Sequence, residues 1–202
     1  MNLLLATHNE HKRREFARLL GAGETLGGYD LQRLPDEVEL PPEDGETFAD
    51  NALGKARAAA AATGTIAIAD DSGIEAAALG GAPGVRSARY AGEEATGEGP
   101  PSDEQNLRKL LREAPAGSAL EYVCVIALVD PVGGVERLFE GRCGGRLASE
   151  PRGERGFGYD PAFLPNAGPP GSTMAELSDE QKDAISHRGH AARALAAWLE
   201  KR

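Results

Sequence analysis

The stretch IAIADDSG, residues 66–73, is an apolar run that meets two adjacent acids, a serine and a glycine. Its first half has the residue types of a buried strand. Side chains alternate between the two faces of a strand, so if Asp70 still belongs to it, Asp70 and Asp71 cannot share one role, and one of them is structural. The strand is expected to end at the acids. In open α/β sheets ligands bind outside the carboxyl edge of the strands. There Asp71 can hold Mg2+ through oxygen, with Ser72 and Gly73 giving a narrow turn for phosphate to approach. Asp, Ser and Gly are also good turn formers, so DDSG by itself fits a plain strand-to-turn cap equally well.

Before this stretch, residues 2–6 read as a short buried strand that passes at once into THNEHKRREFARLLGAG, helical with Phe16, Leu19 and Leu20 on one side and Gly21 as its stop. A polar, Pro-rich connection (LPDEVELPPEDGE) follows. Thr47 and Asp50 then form a capping box that opens an Ala-rich helix ending near Gly64. After the stretch, GGAPGVRSARYAGEEATGEGPP reads as a loop, and Ser102 with Gln105 caps a helix that buries Leu107, Leu110 and Leu111. The segments ALEYVCVIALVD and VERLFEGRCGGRL, joined by PVGG, predict a long β-hairpin. A second loop, SEPRGERGFGYDPAFLPNAGPPGS, leads to a C-terminal helical segment capped by Ser178 and Gln181, with Leu195, Trp198 and Leu199 on its apolar face and a further helix start near Ser186. Helices separated by both isolated strands and a hairpin imply a mixed sheet flanked by helices, α/β or α+β rather than purely parallel.

A chain of 202 residues is one large domain or two small lobes, and it buries roughly 70% of its unfolded surface without needing staples. Cys124 and Cys143 lack metal-ligand spacing and read as buried free thiols, which points to a reducing cytoplasm. No signal peptide or bilayer-spanning run is expected. A net charge of −10 argues against long nucleic acids as partners, because they demand widely spread positive charge. A small phosphorylated ligand needs only a few cations in one place. The chain has 17 Arg but only five Lys (12, 55, 109, 182 and 201), so a retained lysine suggests a site that wants a compact point charge.

Several stretches could carry such chemistry. ATHNEHK sets a strand, a small polar loop and a helix start in sequence, presenting backbone N–H groups and the positive end of a helix dipole to an anion, with Lys12 one turn inside. The P-loop spacing is absent, and a helix merely capped by Asn9 would use the same residues. In EDGETFADNALGKA, Glu43 could partner Asp71 on Mg2+, and Lys55 stands on the helix that follows; alone, the pair is an acidic loop and a solvated lysine. GFGYDP offers aromatics able to stack on a planar base, or simply to pin their loop. KDAISHRGH gathers Lys182, His187, Arg188 and His190, donors suited to carbonyl oxygens or phosphates.

Taken in order, ATHNEHK, EDGETFADNALGKA, ADDSGIEAAALGGAPGVRSARYAG, GFGYDPAF and AELSDEQKDAISHRG resemble the inosine triphosphate pyrophosphatase family, the non-canonical purine NTP pyrophosphatases, nearly end to end. The resemblance implies a single domain over residues 1–202, α/β, with an elongated mixed β-sheet flanked by helices and two lobes holding an active-site cleft between them. It implies Mg2+-dependent hydrolysis of ITP, dITP and XTP to monophosphate and pyrophosphate by a homodimer. The cytoplasmic location and the lack of a nucleic-acid or membrane partner are expected on the grounds above, and apolar residues of the hairpin or near residues 83–90 are candidate dimer contacts. Carried onto this chain, Thr7, His8, Asn9, Glu10, His11 and Lys12 hold the triphosphate with Lys55, and Glu43 and Asp71 place the metal. Asp71 is also the catalytic base, with Ser72 against the substrate. Phe157, Gly158, Tyr159 and Asp160 line the base pocket, and Lys182, His187 and Arg188 complete the contacts. One position departs from the pattern: many relatives have TGN where this chain has Thr7-His8-Asn9, so His8 is expected to contribute backbone only and to keep an ordinary conformation. Two other readings compete: a Maf-like pyrophosphatase for pyrimidine or modified nucleotides, and a nucleotide-binding module that does not cleave.

Overall fold

The computed structural model describes residues 1–21, 28–92 and 99–201. Its elements run β1 (Asn2–Leu5), α1 (Glu10–Leu19), β2 (Asp30–Arg33), α2 (Phe48–Thr63), β3 (Ile66–Ala76), α3 (Asp103–Glu113), β4 (Ala119–Asp130), β5 (Val135–Leu147), β6 (Phe163–Pro165), α4 (Asp179–Ile185) and α5 (His187–Leu199). The strands form one six-stranded sheet in the order β2-β1-β3-β4-β5-β6. β1 pairs parallel with both β2 and β3, whereas β5 pairs antiparallel with β6, so the sheet is mixed as expected.

The chain divides into two compact units, one of Met1–Asp71, Cys124–Gly141 and Arg188–Arg202, the other of Ser72–Val123 and Arg142–His187; the divisions fall within β3, β4 and β5 and at the start of α5. The core of the first unit joins Leu3 and Leu5 of β1, Ile68 of β3, and Cys124, Ile126 and Leu128 of β4 to Phe16, Leu20, Leu195 and Leu199 from the helices. Each such side chain, fully buried, contributes roughly 1.5–3 kcal/mol. In α1 and α5 the apolar residues recur at helical spacing, which sets one face of each helix onto the sheet. The second unit has its own core, in which Ile74, Leu107, Leu110, Leu120, Tyr122, Leu147, Phe163 and Met174 meet.

Capping follows the sequence closely. Thr47 with Asp50, Ser102 with Gln105 and Ser178 with Gln181 each form a reciprocal capping box. Gly64 closes α2, its N–H donating to Ala60 O. Ser186 separates α4 from α5. Both cysteines are buried and free. Among the described residues no helix is long and apolar enough to cross a membrane.

The structure corrects the reading of IAIADDSG. β3 does not stop at the acids but continues through Asp70, Asp71, Ser72 and Gly73 to Ala76. Turn formers act by folding their side chains back onto nearby backbone. Here both carboxylates are engaged by side chains of other elements, and the strand runs on. β2 and β6, four and three residues long, were not expected. The loop over residues 80–101 contains a 3-10 segment at Gly84–Arg89, and its residues 93–98 lie outside the described residues.

Candidate active site

At the head of α1, Thr7 Oγ1 accepts the Asn9 N–H at 3.2 Å, and Asn9 Oδ1 caps the helix by accepting the Lys12 N–H at 3.0 Å. Among the described residues only glycines have positive φ, so His8 takes an ordinary conformation in place of the family glycine. His8, Glu10 and His11 are exposed. Glu10 is held by Arg13 and Arg14, and its hydrogen bond to Arg13 is the main reason its carboxyl is pulled down to about 2. Lys12 lies inward, its Nζ 3.1 Å from Asp70 Oδ2.

Asp70 and Asp71 divide their labour as strand alternation requires. Asp70 is fully buried, and its Oδ2 meets Lys12 and, at 3.3 Å, Arg188 Nη2. The other end of the Arg188 guanidinium pairs with Glu15 of α1. Burial acts to raise the Asp70 carboxyl, but Lys12, Arg188 and Lys55 overcome it and hold it well below the carboxylate range. Both cations are kept charged: burial acts against Lys12 and Arg188, and is outweighed for Lys12 by Asp70 with Asp71 and Glu43, and for Arg188 by Asp70 with Glu15 among others. Asp70 is therefore the structural acid of the pair.

Asp71 belongs to a second cluster. Its Oδ2 accepts from Asn51 Nδ2 at 2.8 Å, while Asn51 Oδ1 accepts the Gly45 N–H at 2.8 Å. Asn51 thus ties the loop that carries Glu43 to the strand that carries Asp71. A Cβ on Gly45 would lie 2.7 Å from Asn51 Oδ1, so this approach demands glycine. Lys55, from the next turn of α2, donates to Glu43 and to Asp70 O, the latter at 2.7 Å. Glu43 is one-third exposed; burial acts to raise its carboxyl, but Lys55 lowers it further. Asp71 moves the other way. Burial raises its carboxyl above the ordinary value, Lys12 and Lys55 oppose this, and the negative charge of Glu43 adds to the rise. Two carboxylates close enough to repel, facing two lysines, are hard oxygen donors of the kind Mg2+ takes alongside substrate phosphates. Among the described residues no three His, Cys, Asp or Glu gather into a metal-binding group.

The second unit holds the remaining candidates. Asp160 is a buried hub: it accepts from the Phe157 N–H at 3.0 Å, from Lys182 Nζ at 2.7 Å and from the Tyr122 hydroxyl at 3.0 Å. Lys182 Nζ also sits 5.2 Å from the centre of the Phe157 ring, a cation–π arrangement. The Tyr159 hydroxyl donates to Ser87 O at 2.7 Å, leaving its ring buried as a pin for the loop. His187 stacks on Tyr122, with ring centres 4.5 Å apart and planes within 6°. Phe157 and Gly158 are half-buried and Ser72 is partly exposed.

The structure thus brings Lys12, Glu43, Lys55, Asp71 and Arg188 into one polar cluster of the first unit. It groups Phe157, Gly158, Tyr159, Asp160, Lys182 and His187 in the second. Thr7, His8, Asn9, Glu10 and His11 frame the start of α1. Sequence reasoning missed Glu15, Asn51, Tyr122 and Asp103. Neither Glu15, with His11, Lys12, Arg18 and Leu19 one turn away, nor Asn51, with Thr47, Phe48, Gly54 and Lys55 one turn away, stands out from an ordinary polar helix position.

The sequence matches the model of the Ham1 family over residues 3–198. It is 50% identical to a dITP/XTP pyrophosphatase of Symbiobacterium thermophilum, covering 98% of this chain and 93% of that protein. It is 47% identical to the one from Frankia alni, covering 100% and 98%. Among solved structures, a HAM1 protein from Coxiella burnetii superposes with a TM-score of 0.82 at 36% identity, covering 100% of both chains. A nucleoside-triphosphatase / dITP/XTP pyrophosphatase from Mycobacterium abscessus gives 0.71 at 41%, covering 98% of this chain and 99% of that one. A polar cluster built on DDSG and the helix after it, an aromatic loop at FGYDP, and likeness along the whole length together establish that this chain belongs to the Ham1 family.

Proposed function

We infer that this protein hydrolyses non-canonical purine nucleoside triphosphates, ITP, dITP and XTP, to the monophosphate and pyrophosphate, and so clears them from the nucleotide pool. The observation that carries the reading is Asp71: a buried carboxylate, aimed by Asn51 and raised by burial and by Glu43, set among two lysines. A raised carboxyl is a better proton acceptor near neutral pH than an ordinary one. Asp71 takes the proton of the attacking water, and Asn51 orients its carboxylate by donating to Oδ2. Lys12 and Lys55 stand ready to meet the negative charge of the triphosphate, already oriented by Asp70 and Glu43. Glu43 and Asp71 would hold Mg2+, which when bound neutralises charge on the phosphate oxygens.

The second unit supplies recognition of the ring. Phe157 offers a stacking face, and Lys182 and His187 supply donors, while Arg188, which the family resemblance adds to these contacts, is held in the first unit by Glu15 and Asp70. Such donors suit a keto oxygen at the purine 6-position, and an amino group there would leave them unpaired at a cost of about 1–3 kcal/mol for each buried group. The active species is proposed to be a cytoplasmic homodimer, which sedimentation of the purified protein at micromolar concentration would refute by showing a monomer.

A substrate panel tests the reading. Purified protein with Mg2+ is offered ITP, dITP, XTP, GTP, ATP and dTTP, and the products are separated by ion exchange. Monophosphate plus pyrophosphate, formed from ITP and XTP far faster than from ATP, is expected. Preference for dTTP, release of diphosphate plus phosphate, or binding without turnover would each overturn it.

A further inference from the structure

We propose that Asp103, the first residue of α3, is the positioning residue that sets the FGYD loop for nucleobase recognition. Its carboxylate accepts the N–H of Gly158 at 2.8 Å, across 55 residues of sequence, within the second unit. Gly158 has φ +62°, so the chain between Phe157 and Tyr159 turns through a conformation that only glycine adopts cheaply, and its N–H points out of the turn. The other fastenings of the loop hold its ends. Phe157 N–H goes to Asp160, the Tyr159 hydroxyl to Ser87 O, and Asp160 to Lys182 and Tyr122. Asp103 holds the apex, the residue next to the half-buried Phe157 ring.

The helix does not need Asp103 for its own cap. Ser102 and Gln105 already satisfy the first turn reciprocally, the Ser102 hydroxyl accepting the Gln105 N–H at 3.2 Å and the Gln105 amide oxygen accepting the Ser102 N–H at 2.8 Å. The Asp103 side chain is exposed, so no buried packing recommends an acid there. An acid at the start of a helix is favoured by the dipole, but that preference is indifferent to what the far oxygen touches. The contact with Gly158 is what distinguishes this acid from its neighbour Glu104, which pairs with Arg108 on its own helix.

The inference rests on reading residues 157–160 as the base pocket, and the test separates the two. Inhibition by IMP and by pyrophosphate is measured for the wild type and for Asp103→Ala, Asp103→Asn and Phe157→Ala, with ITP as substrate. Asp103→Ala is expected to weaken IMP and raise the KM for ITP by about three- to tenfold, with pyrophosphate inhibition and kcat within about twofold of wild type. Asp103→Asn keeps a carbonyl acceptor but loses the charge, and is expected to restore most of the IMP affinity. Both variants lose the dipole interaction equally, so equal defects in the two, or equal weakening of IMP and pyrophosphate, would reduce Asp103 to helix stability and overturn the proposal. Unchanged IMP binding in Asp103→Ala while Phe157→Ala weakens it would overturn the proposal alone. Unchanged IMP binding in Phe157→Ala would overturn the base-pocket reading and this inference with it.

Discussion

Replacing Asp70 with Asn keeps the shape of the side chain and removes one charge from the centre of the first unit. Two cations meet that charge, Lys12 at 3.1 Å and Arg188 at 3.3 Å. At an effective dielectric of about 20, a unit charge pair at such a distance interacts by about 5 kcal/mol before desolvation is counted. Arg188 keeps Glu15 as a partner, so the group that loses its direct counter-ion is Lys12, left with the charges of Asp71 and Glu43. Removing one member of a buried pair typically costs about 3–5 kcal/mol. The Lys12 side chain is 12% exposed and can turn partly to water, which places the result near the lower figure. For a chain of this size each kcal/mol moves the melting temperature by about 2–4 °C, so Tm should fall by roughly 6–12 °C for about 3 kcal/mol. Calorimetry without Mg2+ or nucleotide measures it. The pH dependence carries a second check. Because the folded state holds the Asp70 carboxyl well below its ordinary value of 3.8, its stabilisation is fully present above that value and fades as pH falls below it. The difference between wild type and variant should stay level from pH 8 to about pH 5 and narrow only below about pH 4. A variant melting within 2 °C of wild type, or a difference that narrows between pH 7 and 5, would refute the assignment of Asp70 as the buried counter-ion.

Asp71→Asn, which keeps the bond to Asn51 in reach but removes the base, should lower kcat for ITP by about 10²- to 10⁴-fold with folding preserved; a fall of less than threefold at saturating Mg2+ would show that another group accepts the proton. Glu43→Gln should raise the Mg2+ concentration needed for half-maximal rate by about tenfold or more while leaving Tm within a few degrees, since Glu43 is partly exposed; an unaltered Mg2+ titration would remove Glu43 from the metal site. Thr47→Ala breaks the capping box that opens α2 and should cost about 1 kcal/mol in urea unfolding, with no change in substrate preference; a shift in the ITP to ATP ratio would show that the cap tunes the site.

How much of this was legible in the sequence depended on whether a residue's partners were local. Capping boxes are complete within four residues, and all three that the sequence predicts are present. The hairpin and the amphipathic helices are written in periodicity, and they too are present. IAIADDSG failed at its second half because turn propensity is a contest between local backbone and distant side chains, and the winners, Lys12, Asn51 and Arg188, come from other elements. β2 and β6 failed for a different reason: strands of three or four residues are too short to show alternation, and β2 has no fully buried residue to mark it. In the candidate site, the residue types on the metal and phosphate side were legible from motif and resemblance. Glu15 and Asn51 were not, because each acts on another side chain: Glu15 on Arg188, Asn51 on Asp71 and on the Gly45 backbone.

The lysines show why these indirect residues matter. The chain uses Arg at 17 positions and Lys at five, and three of the five point into the two polar clusters. Each of the three meets a carboxylate: Lys12 meets Asp70, Lys55 meets Glu43, and Lys182 meets Asp160. An ammonium is a flexible, strongly hydrated point charge, and left alone in a pocket it would follow water. An acid behind it fixes its position and keeps it charged against burial, as Asp70 does for Lys12. The cation is then in place before an anion arrives, and little reorganisation remains for the reaction to supply. Arg188 is the counter-example that fits the same rule. Its planar fork can satisfy two acids at once, and it is the cation that bridges Glu15 and Asp70, buried within the first unit. The division of labour between the basic residues of these clusters is therefore geometric: the fork of Arg188 bridges two acids, and Lys12, Lys55 and Lys182 are each held as a point charge by an acid.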